Sequence, residues 1–393
     1  MDGSRRSDPG PEVSAPRDAA DSPPSSATFV QGAAGRPDQP APAARGRRRR
    51  WPVLAGVAVL ALLAAATYFV TTSSPPKKGG GSRKSLPAAG LPRASTSRVR
   101  VRKAHRRVDV LPAPIKPIFP HALRGEGVWK PTGPKVNGGP PVLVTTFRSE
   151  LDDPSIVAYV AWFDHTRTEL AYYPGGSEPP NAAVRGPMMV PYDQRSRLLA
   201  TFNGGFTYTD GNNGSADNGL TNEPLQDGNA TLIGYRHGRV GIVKWTGGPN
   251  VGPNVAWARQ SLAPIVWNGQ LNPDLNDNPD SPQWGYTLGG VPRVPRTGVG
   301  IDRRGNLLFV LAADQTVITL AKILQHIGAV RAMEFDINYE WHTLITYSHH
   351  HGLGPKLVEP QSQQSPTRYL VPDNRDFFAV YKPLPGPVSV PFK

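Results

Sequence analysis

Hydrophobic and polar positions change texture along the 393-residue chain, and the longest uniform stretch begins near Val108. From there, short apolar runs are divided by Gly, Pro, Asn and Asp: VLVTTF (142–147), SIVAYVAWF (155–163), ELAYYP (169–174), LLATFNGGF (198–206), TLIGYRHGRVGIVKW (231–245) and TGVGIDRRGNLLFVLA (297–312). Their β-branched and aromatic residues suit a pleated, packed surface, so each run predicts strand. Two predict hairpins, one turning at His237-Gly238 and one over Arg303–Asn306. TVITLAKILQHIG (316–328) predicts a helix: Val317, Leu320, Ala321, Leu324 and Ile327 recur near the 3.6-residue period. Thr316 or Thr319 can cap its start, and Gly328 suits a left-handed terminus. AVRAMEFDI (329–337) follows after a short break, as a central strand reached by a helical connection would. The pattern predicts an α+β domain over 108–393, built on a strand-rich mixed sheet with few helices.

The N-terminal part follows a different pattern. RGRRRR (45–50) precedes Val53–Val70, 18 residues without a charge, with Trp51 and Tyr68 near the ends. At about 1.5 Å per residue such a helix covers roughly 27 Å, close to a bilayer's hydrocarbon core. A single transmembrane helix over 51–72 is expected, and the preceding arginines place residues 1–50 in the cytoplasm and the rest outside the membrane. A signal peptide cut near LAAA (63–66) and a buried globular helix are the competing readings; the apolar run is longer than a signal peptide's core. Residues 1–50 and 73–107 are poor in aromatic residues, and both are expected to be disordered, the second as a basic linker. That linker is either a solvated spacer or a weak contact to anionic lipid or wall polymer.

The formal net charge of +14 lies wholly in residues 1–107, and residues 108–393 carry equal numbers of acids and bases. A folded domain without excess cation is a poor match for a phosphate backbone, so nucleic acid is not an expected partner. The chain has no cysteine, which excludes disulfides, thiolate metal sites and cysteine nucleophiles.

RAMEFDINYEWHTLITY (331–347) is where chemistry concentrates. On a strand, Glu334 and Asp336 share one face, their Cα atoms about 6.5 Å apart, while Met333, Phe335 and Ile337 face the other way. One face then suits a core and the other a polar pocket. The spacing is compatible with the carboxyl pairs of glycosidases, and equally with acids paired to Arg331 or Arg296 at a sheet end. Asn338, Glu340 and His342 extend the alternation, and His342 is either a proton donor or a structural histidine. Asn203-Gly204-Gly205 at a strand end supplies an amide and unshielded backbone N–H groups, or forms a plain turn. Arg296 can hold a phosphate bidentately or pair with an acid.

Other polar runs are weaker. DLNDNPD (274–280) has acids at calcium-loop positions but lacks the glycine and glutamate that complete such a loop. His349–His351 are contiguous, so their rings diverge. No metal or cofactor is expected. DGNNGSADNG (210–219) is a loop beside the Asn203 turn, either a lid or a solvated insertion.

The order of ATFNGGF (200–206), RTGVGID (296–302), a helix, and IGAVRAMEFD (327–336) resembles the phosphodiester glycosidase family, relatives of the mannose-6-phosphate uncovering enzyme. The resemblance implies a hydrolase of glycosyl phosphodiesters, with Asp336, Glu334 and His342 as catalytic candidates. Asn203, Gly204, Gly205, Arg296, Thr297 and Asn338 are the implied substrate-binding residues. Where the family has Asp-Gly-Gly-Gly-Ser, this chain has Asp336-Ile337-Asn338-Tyr339-Glu340. A glycine-rich loop lets backbone N–H groups approach an anion, and Ile-Asn-Tyr does not offer the same approach. Two functional classes follow: an extracytoplasmic, membrane-anchored hydrolase of an envelope glycosyl phosphodiester, and a non-catalytic domain on the same fold that binds carbohydrate or wall polymer.

Overall fold

A computed structural model describes residues 111–384, apart from 183, 184 and 212. The span expected over 51–72 and the segments on either side of it, 1–50 and 73–107, lie outside the described residues. Among those described, no helix is long and apolar enough to cross a membrane.

Three sheets carry the domain. The largest has eight strands, in spatial order Lys130–Thr132, Val142–Arg148, Val157–Phe163, Leu307–Gln315, Val294–Asp302, Ala329–Glu334, Val266–Trp267 and Gln270–Leu271. A five-stranded sheet runs Leu220–Glu223, Ser215–Asp217, Val255–Gln260, Ala230–Tyr235, Val240–Lys244. The other runs Gly354–Leu357, Leu344–Ser348, Leu198–Asn203, Phe377–Tyr381, Glu169–Tyr173. Both predicted hairpins form, between Ala230–Tyr235 and Val240–Lys244 and between Val294–Asp302 and Leu307–Gln315.

The sheet is not mixed as expected, because every strand pair among the described residues is antiparallel. The helical connection explains the difference. Val317–His326 links Leu307–Gln315 to Ala329–Glu334, and both of these strands pair antiparallel with Val294–Asp302, which lies between them. The linked strands therefore run in the same direction without touching. DGNNGSADNG is not a continuous loop either: Ser215–Asp217 pairs with Val255–Gln260 and adds a strand to the second sheet.

Strand alternation sorts the cores. Leu307, Phe309 and Leu311 enter a central core with Phe202, Phe378, Leu232 and Trp257, which come from the two smaller sheets. Leu308, Val310 and Ala312 face the opposite way, onto Leu320, Ala321 and Leu324 of the helix. Both faces of the large sheet are thus buried, so its strands read as unbroken apolar runs. The helix begins with a reciprocal cap between Thr316 and Thr319 and is followed by Gly328 at φ +99°. The close approach of the helix at Gly298, and of the neighbouring strand at Gly300, accounts for the two glycines of RTGVGID. A Cβ at Gly298 would lie 3.0 Å from Leu324, and one at Gly300 would lie 2.8 Å from the Ala329 side chain.

Candidate active site

The site is assembled where three strands end. Leu198–Asn203 is buried along its whole length, and its last residue uses its side-chain amide as a stitch. Asn203 Nδ2 donates to the carbonyl of Gly204 (2.8 Å) and to Thr297 Oγ1 (3.0 Å), while its Oδ1 accepts from the Thr343 N–H (3.2 Å). Thr297 extends the pairing of its strand past Glu334: its N–H donates to the Asp336 carbonyl (2.8 Å), and its carbonyl accepts from Phe335 N–H (2.8 Å). Gly204 is required here, since a Cβ would meet the Asp376 carboxylate at 2.5 Å.

Three buried arginine–carboxylate pairs surround this junction. Arg259 Nε donates to Asp376 at 2.5 Å, and its Nη2 reaches the carbonyls of Gly205 and Phe206. Arg375 Nη2 donates to Asp336 Oδ2 (2.7 Å) and to the Gly205 carbonyl (2.9 Å). Arg296 Nη1 donates to Glu334 Oε1 at 2.5 Å. Pairs taken this far out of water do not stabilise strongly in total, but removing one partner of such a pair is costly.

Asp336 and Arg375 open into a cleft of about 530 Å³. Its walls are aromatic, with Phe206, Tyr286, Tyr339 and Trp341, and its other polar groups are Asp210, Thr287, Asn338 and Glu340. The Arg375 guanidinium lies 4.8 Å from the centre of the Trp341 ring, which fixes its plane. Its Nε is buried and has no acceptor among the described residues. Burial pushes the Asp336 carboxyl up to about 6, outweighing the Arg375 charge and the N–H groups of Asn338 and Ile337, which hold it down. A carboxyl tuned to that range exchanges its proton near neutral pH.

Of the remaining expected site residues, Asn338 lines this cleft, and the others lie around it. Glu334 shares Asp336's face of the strand, while Met333 and Phe335 enter the central core. It is sealed, however: burial raises its carboxyl, Arg296 opposes that rise, and Oε2 has no partner among the described residues. Arg296 is committed to its surroundings, with further bonds to the carbonyls of Gln315, Trp284 and Pro292. His342 is buried, with Nε2 3.4 Å from the Asp336 carbonyl, and burial lowers it to about 4, so it is a neutral imidazole at pH 7. Asn338 lines the cleft, its N–H donating to Asp336 Oδ1 (2.9 Å) and its Oδ1 accepting from Glu340 N–H (3.0 Å). The Asn-rich loop 272–280 closes on itself through successive side-chain-to-backbone turns, such as Asn276 Oδ1 with Asn278 N–H and Asn278 Oδ1 with Asp280 N–H.

Sequence reasoning missed Arg375, Arg259 and Asp376. RD at 375–376 precedes the apolar strand FFAVY and has no periodic or motif signal of its own. Only strand order brings Arg375 across 39 residues to Asp336.

Comparison with known proteins agrees with the motif order. Residues 181–336 match the phosphodiester glycosidase family, a segment that includes Asn203, Arg296 and Asp336. No curated protein sequence matches the chain. Among solved structures, the zebrafish N-acetylglucosamine-1-phosphodiester alpha-N-acetylglucosaminidase catalytic domain, auto-inhibited by its pro-peptide, is similar at TM-score 0.38 and 15% identity, over 64% of this chain and 87% of that one. A hypothetical protein from Synechocystis is similar at TM-score 0.35 and 12% identity, over 64% of each chain. A putative exported protein from Burkholderia pseudomallei follows at TM-score 0.29 and 11% identity, over 58% of this chain and 74% of that one. The chain is thus similar to phosphodiester glycosidases over the segment that carries all three motifs.

Proposed function

We propose that this protein is a membrane-anchored, extracytoplasmic hydrolase that cleaves a glycosyl phosphodiester of the cell envelope in the Asp336 cleft. The observation that carries the proposal is the Asp336–Arg375 pair: a carboxyl raised to about 6 beside a guanidinium whose buried Nε lacks an acceptor among the described residues, within aromatic walls. Cleavage at the glycosidic carbon expels a phosphate monoester, which leaves as a stable anion and needs little protonation. The demanding step is attack on the anomeric carbon. Ionised Asp336 serves there as base toward water, accepting its proton as the C–O bond to phosphate breaks. Arg375 holds the departing phosphate charge through its unused N–H groups. The exposed rings of Tyr286 and Tyr339 offer faces for the sugar.

Placement outside the membrane rests on the Arg45–Arg50 cluster and the uncharged run after it. The loop after Asp336 favours a second function, carbohydrate binding without turnover. The N–H groups of Asn338 and Glu340 are already bonded within the loop, so they do not form an anion cradle. Incubating the protein with a panel of glycosyl phosphodiesters and following reducing-sugar release separates the two. Release supports the hydrolase, and binding of the same compounds without release assigns the second function. Protease added to intact cells should remove residues 108–393 and spare 1–45; the opposite pattern would reverse the topology.

A further inference from the structure

A second cleft, of about 440 Å³, shares no lining residue with the Asp336 cleft. One wall is the strand Glu169–Tyr173, which lies at the edge of its sheet and, among the described residues, pairs only with Phe377–Tyr381. The facing wall is the hairpin end around Arg236–Arg239 together with Trp257. Gly234 makes room for the indole, since a Cβ there would lie 2.2 Å from the Trp257 ring. Asp217, Asn218 and the segment 185–187 also line it.

The charges in this cleft do not balance. Arg185, Arg236 and Arg239 all line it, and none makes an ion pair with a described residue. Arg185 is held by the carbonyls of Gly175, Pro179 and Pro180, and Arg236 Nε by the Pro253 carbonyl. Arg239 Nε is buried without any acceptor among the described residues. On the acidic side, Glu169 is paired with Arg197, and among the described residues Asp217 accepts only from its neighbour Asn218 (3.1 Å). A buried guanidinium N–H without an acceptor is costly, and an anionic oxygen in the cleft would relieve that cost.

We infer that this cleft binds an acidic saccharide, with the anionic group on Arg239 and Arg236 and the sugar hydroxyls on Asp217 and Asn218. A carboxylate beside an amide matches the donors and acceptors of a sugar diol, and the volume lies in the range of small-ligand sites. An acidic peptide added along the open strand edge is the competing occupant. It would bring regularly spaced carboxylates against Glu169 and Asp217, a repulsion that a saccharide with fewer charges avoids.

Calorimetric titration of the full chain tests this with three probes: trigalacturonate, neutral galactotriose and hexaglutamate. Trigalacturonate should bind while the other two do not. Arg239→Met should weaken its binding at least tenfold. Arg236→Gln, at an exposed side chain, should weaken it by a smaller factor at unchanged melting temperature, which guards against misfolding of the first variant. Asp336→Asn should leave trigalacturonate binding intact, so the result is independent of the hydrolytic proposal. Absence of trigalacturonate binding, or affinity unmoved by both arginine changes, would overturn the inference. Tighter binding of hexaglutamate would overturn it too and assign the edge to a peptide.

Discussion

Glu334 and Asp336 are two residues apart on one strand face, each is buried, and each is paired with an arginine, yet they occupy different environments. Glu334 sits where the strand Val294–Asp302 still pairs alongside, opposite Gly298, and Arg296 is enclosed by three carbonyls. Asp336 sits just past the strand end, where the chain turns away into the loop Ile337–Trp341 and leaves a cleft. The difference teaches that a carboxylate–arginine pair gains access to substrate at a sheet end and loses it one step inward. Alternation places both acids on one face. The end of the sheet decides which of them meets solvent.

The comparison is broken or sharpened first at Asp336. Asp336→Asn preserves size and can keep partners in Arg375 and the Asn338 N–H, but it cannot take a proton from water. Hydrolysis should fall by about 10²–10⁴-fold, roughly 3–5 kcal/mol of barrier, with little change in melting temperature. Full activity in a stable variant would remove Asp336 from the chemistry.

Glu334→Ala should act oppositely. It leaves the Arg296 charge buried and uncompensated, at a cost of about 3–5 kcal/mol, which lowers the melting temperature by on the order of 10 °C. Turnover per folded molecule should change little. An active-site role for Glu334 would appear instead as lost turnover at unchanged stability.

The two arginines should separate in the same way. Arg375→Lys keeps the charge but loses the planar fork stacked on Trp341, so KM for a phosphodiester should rise by about tenfold, roughly 1.4 kcal/mol. Arg296→Lys should lower the melting temperature and leave KM unchanged. A raised KM in the Arg296 variant at intact stability would restore that residue to the phosphate site.

The smallest effect is the dependence on pH. With Asp336 raised to about 6 and active when ionised, turnover should climb as pH rises through about 6. The stability sign is opposite. A carboxyl raised on folding favours the folded state fully below its unfolded value of 3.8 and loses that contribution as pH rises towards about 6. Wild type should therefore lose stability relative to Asp336→Asn between those pH values, as read by paired thermal melts. A gap that does not move with pH would place Asp336 in a more hydrated setting.

Much of the frame was legible in the chain. The turns at His237-Gly238 and Arg303–Asn306, the helix with its Thr316 cap, and the opposition of Met333 and Phe335 to Glu334 and Asp336 all follow from patterns within a few residues. Such features are governed by steric limits on φ and ψ, by side-chain period and by local hydrogen bonds, which distant residues do not alter. Tertiary structure alone decided the sheet order that turned a helical crossover into an all-antiparallel arrangement. It also chose the ion-pair partners: Arg375 for Asp336 across 39 residues, Arg296 for Glu334 across 38, and Arg259 for Asp376 across 117. A guanidinium meets a given carboxylate only when strand order and register bring their Cβ atoms together, and no local rule encodes that distance. Burial, which sets the Asp336 carboxyl near 6, depends in the same way on what the rest of the chain packs around it.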